Sequence, residues 1–108
     1  MKQLSLRPYN GKLFIAKSRR EYEKAHEKLF NKPDILQCNQ AGRFNGGEGK
    51  DGRWTYLIWA KETPQLVHEL AHVVFHTFER CGIDPKNDLG EAFCYMLSQL
   101  LIDAQRSR

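Results

Sequence analysis

The stretch Pro64–Arg80, PQLVHELAHVVFHTFER, constrains this chain more than any other segment. On a helical wheel Val67, Leu70, Ala71, Val74, Phe75 and Phe78 fill one broad arc, and Leu66 and Val73 carry apolar surface beyond it. Only the edge formed by His68, His72 and His76, with Glu69 beside it, interrupts the pattern. A helix that is apolar almost all round is buried on most sides, so buried histidines and a buried glutamate are expected there. Thr63 at the cap and Pro64 at the first helical position mark its start, and Gly82 its C-terminal cap. The chain has 108 residues. That is the size of one domain with one core, and the other elements must cover this helix.

Those elements are readable in outline. Leu4–Arg7 and Leu13–Ala16 read as two short strands across a Pro8-Tyr9-Asn10-Gly11 turn. Ser18 caps a helix to about Phe30, with Tyr22, Ala25, Leu29 and Phe30 on its apolar face; His26 is expected at the surface. Ile35–Cys38 reads as a further strand. Residues 39–52 hold five of the eight glycines and read as a mobile loop or a wide hairpin tip. Arg53–Ala60, RWTYLIWA, is the strongest strand signal. A last helix is expected from Leu89 to Ala104, with Leu89, Ala92, Phe93, Met96, Leu97, Leu100, Leu101 and Ala104 on one stripe. Strands, helix, strands and then two helices give an α+β domain spanning residues 1–108.

Composition excludes several classes. Apolar residues make up 41% and charged residues 28%, which excludes a disordered or low-complexity chain. No apolar run approaches the roughly 20 residues that cross a bilayer, and MKQLSLRPYNGK lacks the apolar core of a secretion signal. Three cysteines (Cys38, Cys81, Cys94) are too few for a disulfide framework; Cys81 and Cys94 read as buried thiols. A soluble, cytoplasmic protein without a membrane partner is expected. Residues 1–62 carry 13 Lys/Arg against 7 Asp/Glu, and residues 63–108 carry 4 against 6. The basic half admits a nucleic-acid partner, but a solvated surface is the favoured explanation and no nucleic-acid-binding motif raises the alternative.

The chemistry lies in His68-Glu69-Leu70-Ala71-His72, an HExxH pattern. Histidines four apart on a helix stand one turn above each other, so two imidazole nitrogens can reach one ion at about 2.0–2.1 Å. Glu69 points beside that face, placed to touch a water on the metal rather than the metal itself. Zinc needs a third protein ligand, and Glu91 at the start of the next helix is the candidate. Asp88 and Glu91 also fit a capping box, which is the structural alternative for Glu91. His76 falls about 12 Å from His68 along a straight helix, too far for a shared ion.

Trp54 to Leu97 resembles the gluzincin branch of the HExxH metallopeptidases, with Gly90–Leu97, GEAFCYML, in place of the family's glutamate helix. The resemblance implies a minimal zincin-like domain: a short β-sheet packed on an HExxH helix plus a C-terminal helix. It implies Zn2+ held by His68, His72 and Glu91, and peptide or protein hydrolysis through zinc-bound water with Glu69 as general base. It also implies a cleft strand that binds substrate as an added strand, here around Tyr56, Leu57 and Ile58. Tyr56 and Tyr95 are candidate hydrogen-bond donors to a substrate oxyanion. The segment TPQLVHELAHVVFHTFERCGI followed by EAFCYMLSQLL further resembles small phage-encoded HExxH proteins. The chain departs from the gluzincins in having Tyr95 where an aspartate often follows the ligand glutamate, and in lacking a second domain to wall the cleft. Two other readings stay open: a non-catalytic assembly or adaptor protein, with structural zinc or none, and a basic nucleic-acid-binding protein.

Overall fold

The computed structural model describes residues 1–106. The order is β1 (Lys2–Ser5), β2 (Lys12–Ala16), α1 (Arg19–Phe30), β3 (Gly42–Glu48), β4 (Trp54–Ala60), α2 (Thr63–Arg80) and α3 (Glu91–Gln105). This is an α+β domain. The four strands form one mixed sheet in the order β1-β2-β4-β3, antiparallel at both outer pairs and parallel between β2 and β4.

Period-2 alternation on the central strands builds two apolar layers. Leu13 on β2 and Tyr56 and Ile58 on β4 face α2 and α3, joining Leu70, Val73, Val74, Phe78 and Leu100. Ala16 on β2 and Leu57 and Trp59 on β4 face α1, joining Tyr22, Ala25 and Leu36. β4 is covered on both faces and paired on both edges, which is why its apolar run is almost unbroken. Burial of each large aliphatic side chain in these layers stabilises the fold by about 1.5–3 kcal/mol.

The helix ends follow local chemistry. The Ser18 side chain accepts from the Glu21 amide at the start of α1. At the end of α2, Ile83 N–H reaches the Phe78 carbonyl at 2.9 Å and Gly82 N–H the Glu79 carbonyl at 3.2 Å. With Gly82 at φ +71, that is a Schellman ending. Thr63 is the first helical residue rather than the cap, which is Glu62. The last helix starts later than the pattern predicts. A 3₁₀ turn occupies Asn87–Gly90, Asp88 and Leu89 are left-handed, and the Asp88/Glu91 capping box does not form.

Two segments differ from expectation. Ile35–Cys38 is irregular, because side chains take its backbone groups: Glu23 accepts the Leu36 amide, and the Arg19 guanidinium donates to the carbonyls of Gln37, Cys38 and Gln40. The glycine-rich segment contains the whole of β3, with only its far end a hairpin tip. Glycine is required there. A Cβ on Gly46 would lie 2.6 Å from the ring of Tyr56, which is fully buried.

Alternate residues of β3 hold it to α1 and the Asp34 segment after it through part-buried polar contacts. Asp34 accepts from Arg43 at 2.9 Å and from the Tyr22 hydroxyl at 2.8 Å. Asn45 meets His26 Nε2 at 2.8 Å, while His26 Nδ1 donates to the Lys32 carbonyl at 2.7 Å. His26 is therefore buried, not at the surface; it lies four residues after Tyr22 on the apolar face of α1. Cys38, Cys81 and Cys94 are all exposed, so Cys81 and Cys94 are not the buried thiols expected.

Two outcomes follow. Gly46→Ala should lower stability by about 1–3 kcal/mol, as in other overpacked cores, measured by urea unfolding. Burial pushes the Asp34 carboxyl up, but Arg43 and Tyr22 outweigh it and hold its pKa below the usual aspartate value. The stability this group contributes is therefore present above the ordinary aspartate range and is lost as pH falls through the lowered value. Asp34→Asn should cost about 1–2 kcal/mol at pH 7 and converge on wild type only once pH falls below the lowered aspartate value.

Candidate metal centre

α2 rests on the sheet through Leu70, Val73, Val74, Thr77 and Phe78, and leaves His68, His72 and Phe75 exposed. The imidazoles are thus on an open edge rather than buried. Among the described residues α2 packs on β3, β4 and α3, which cover only two sides of the helix. Glu69 differs: it is 7% exposed and turns under β3, where Gly42 leaves room for it. A Cβ on Gly42 would lie 2.7 Å from Glu69 Oε2.

His68, Glu69 and His72 form one group whose ligand atoms all lie within 4.8 Å of one another. The two Nε2 atoms face each other at 3.2 Å. An ion about 2.0–2.1 Å from each of two tetrahedral ligands needs them about 3.3 Å apart. The imidazole pair fits zinc on that test. Phe44 of β3 stacks on His72 with ring centroids 5.4 Å apart and fixes one wall. Burial pushes the Glu69 carboxyl above its usual range, with His68, His72 and Arg43 opposing that rise. A carboxylate that is destabilised by burial and lies beside a cation site is suited to taking a proton.

The other expected site residues fall elsewhere. Glu91 is exposed as the first residue of α3 and is not part of the His68–Glu69–His72 group. The α3 face that packs on the core carries Phe93, Met96, Leu97, Leu101 and Ala104, and Glu91 lies nearly opposite it on the helical wheel. Tyr95 is 73% exposed and borders a separate groove with Pro8, Tyr9 and Gln99. Tyr56, Leu57 and Ile58 are fully buried on a strand paired on both sides, so no substrate strand can add there. The open edge beside the imidazoles belongs to β3 instead. Sequence reasoning missed it because glycines hid the strand. The Phe44 aromatic between glycines was the available signal.

Several cations of the basic half are engaged within the fold: Lys12 with Asp51, Arg43 with Asp34, and Arg19 with three carbonyls. Among the described residues no helix is long and apolar enough to cross a membrane. The chain matches no family model, no curated protein and no solved structure.

Two substitutions separate the ligand sets. His72→Ala should weaken zinc binding by roughly 100-fold or more, since even the outer partners of metal ligands are worth 10–100-fold. Glu91→Gln should leave the affinity within about twofold of wild type. Competition against a chromophoric chelator measures both.

Proposed function

We propose that the protein is a zinc-dependent hydrolase of peptide bonds. The observation that carries this reading is the pair of imidazole Nε2 atoms at 3.2 Å beside the buried Glu69 carboxylate. His68 and His72 would hold the ion, and this pair is one protein ligand short of the three at most catalytic zinc sites. A bound zinc ion supplies Lewis acidity, acidifying water and polarising a carbonyl. Glu69 takes the proton from the attacking water and passes it to the leaving amine. Its carboxylate is suited to this because Gly42 and the sheet exclude solvent from one side of it. The outer edge of β3, where Gln40 donates to the Gly42 carbonyl and Asn45 accepts the Gly46 amide, offers its remaining backbone groups to an extended peptide as a fifth strand. Three unpaired cysteines agree with a cytoplasmic setting.

A second reading is a non-catalytic assembly or adaptor protein. It is favoured by Phe75, Leu89 and Tyr95, which expose apolar surface on the α2–α3 side at 56%, 100% and 73%.

Glu69→Gln tests the first reading. The variant should bind zinc as wild type does and lose turnover of a quenched-fluorescent peptide mixture by about 10²–10⁴-fold, the usual worth of a general base. Wild-type protein that carries zinc and cleaves nothing in that mixture supports the second reading instead.

A further inference from the structure

One turn beyond His72, a chain of hydrogen bonds runs from the loop before β2 into the interior. The Arg80 guanidinium donates through Nη2 to the Asn10 carbonyl at 2.7 Å and through Nε to the Tyr56 hydroxyl at 2.9 Å. Tyr56 is fully buried, and its hydroxyl meets His76 Nδ1 at 2.7 Å. Donor counting fixes the direction. Arginine has no acceptor, so the hydroxyl oxygen accepts from Arg80, and the only other partner for its proton among the described residues is His76 Nδ1. His76 Nδ1 is therefore an acceptor, and the ring proton sits on Nε2.

That Nε2–H has no partner among the described residues and is not sealed from solvent, on a half-buried ring stacked against Trp54 at 5.4 Å. A ring stacked on Trp54, hydrogen-bonded by Tyr56 and held in one tautomer presents a fixed donor. It also lies beside the candidate site. The inward residues of β3 pass Glu69 at Gly42, His72 at Phe44, and the Tyr56–Trp54 pair that holds His76 at Gly46. The Phe44 ring lies 5.4 Å from His72 and 6.4 Å from His76. One α-turn from His72 to His76 advances about 6 Å, and an extended peptide about 3.4 Å per residue, so the two histidines are about two substrate residues apart.

We propose that His76 is a substrate-binding residue: its Nε2–H donates to an acceptor oxygen of an extended peptide, two residues along from the one at the zinc. Tyr56 and Arg80 are positioning residues that hold His76 in this tautomer. The proposal rests on the hydrolase reading above. It names the substrate class of that site as an extended peptide that carries an oxygen acceptor at that position.

Two measurements test it. Long-range ¹H–¹⁵N correlation spectra of the full chain without added metal should show the His76 proton on Nε2. Tyr56→Phe should convert this to a mixture of tautomers. A proton found on Nδ1 in the wild type overturns the proposal. Binding then follows with zinc-loaded protein and three probes: acetohydroxamate, which reaches only the metal, and two tripeptide hydroxamates extended toward either the amino or the carboxyl side. His76→Phe should weaken one tripeptide probe fivefold or more and leave acetohydroxamate within twofold, while His76→Gln, which keeps a donor near the same place, restores most of the loss. Equal weakening of all three probes, or of none, overturns the assignment of His76 alone. Failure of acetohydroxamate to bind the wild type at all overturns the metal-site reading and this inference with it.

Discussion

The contact between β4 and α2 carries the rest of the molecule. Tyr56 and Ile58 project from the central strand onto Leu70, Val73, Val74 and Phe78, all of them at or near zero exposure. Because those residues occupy one side of α2, the helix cannot rotate without exposing its core side chains. The histidine edge is placed at the rim of the sheet as a consequence. The spacing of the histidine pair is thus inherited from apolar packing: a helix fixed over about half its circumference presents residues i and i+4 at a constant spacing.

β3 completes the site from the other side, and it does so with little side-chain mass. Gly42 lets the backbone approach the Glu69 carboxylate, Phe44 covers His72, and Gly46 admits the Tyr56 ring. A strand so rich in glycine has weak intrinsic preference for extended structure. It is held by β4 along seven paired residues and by the Arg43–Asp34 and Asn45–His26 contacts on the α1 face. The polar networks under α1 therefore support the opposite face of the sheet, where the candidate chemistry lies.

Elements with strong local signals were legible in the sequence. The Ser18 cap gives α1, the Pro64 start gives α2, and the aromatic run gives β4 within a residue or two. The α+β class and the HExxH pair were legible for the same reason, since both depend on residues close in sequence. What failed was nonlocal. β3 was hidden because its stability comes from its partner strand and from contacts a Cβ would block. Ile35–Cys38 had a strand-like composition, yet Arg19 and Glu23, distant in sequence, captured its backbone groups. His26 shares the apolar face of α1 with Tyr22 and Ala25, but the charged residues beside it in sequence give it the local signature of a surface position. The position of Glu91 depends on left-handed Asp88 and Leu89, residues that rarely adopt that conformation, so the later start of α3 had no sequence signal.

The fit of Gly46 against Tyr56 has an evolutionary corollary. A glycine on one strand facing a large ring on the next is a single steric unit, since enlarging the first collides with the second. Divergent homologues should therefore change positions 46 and 56 together: a side chain gained at one should accompany a smaller residue at the other. In lineages that lose the Tyr56 ring, the polar relay behind His76 has no reason to survive, so positions 76 and 80 should drift along with that pair.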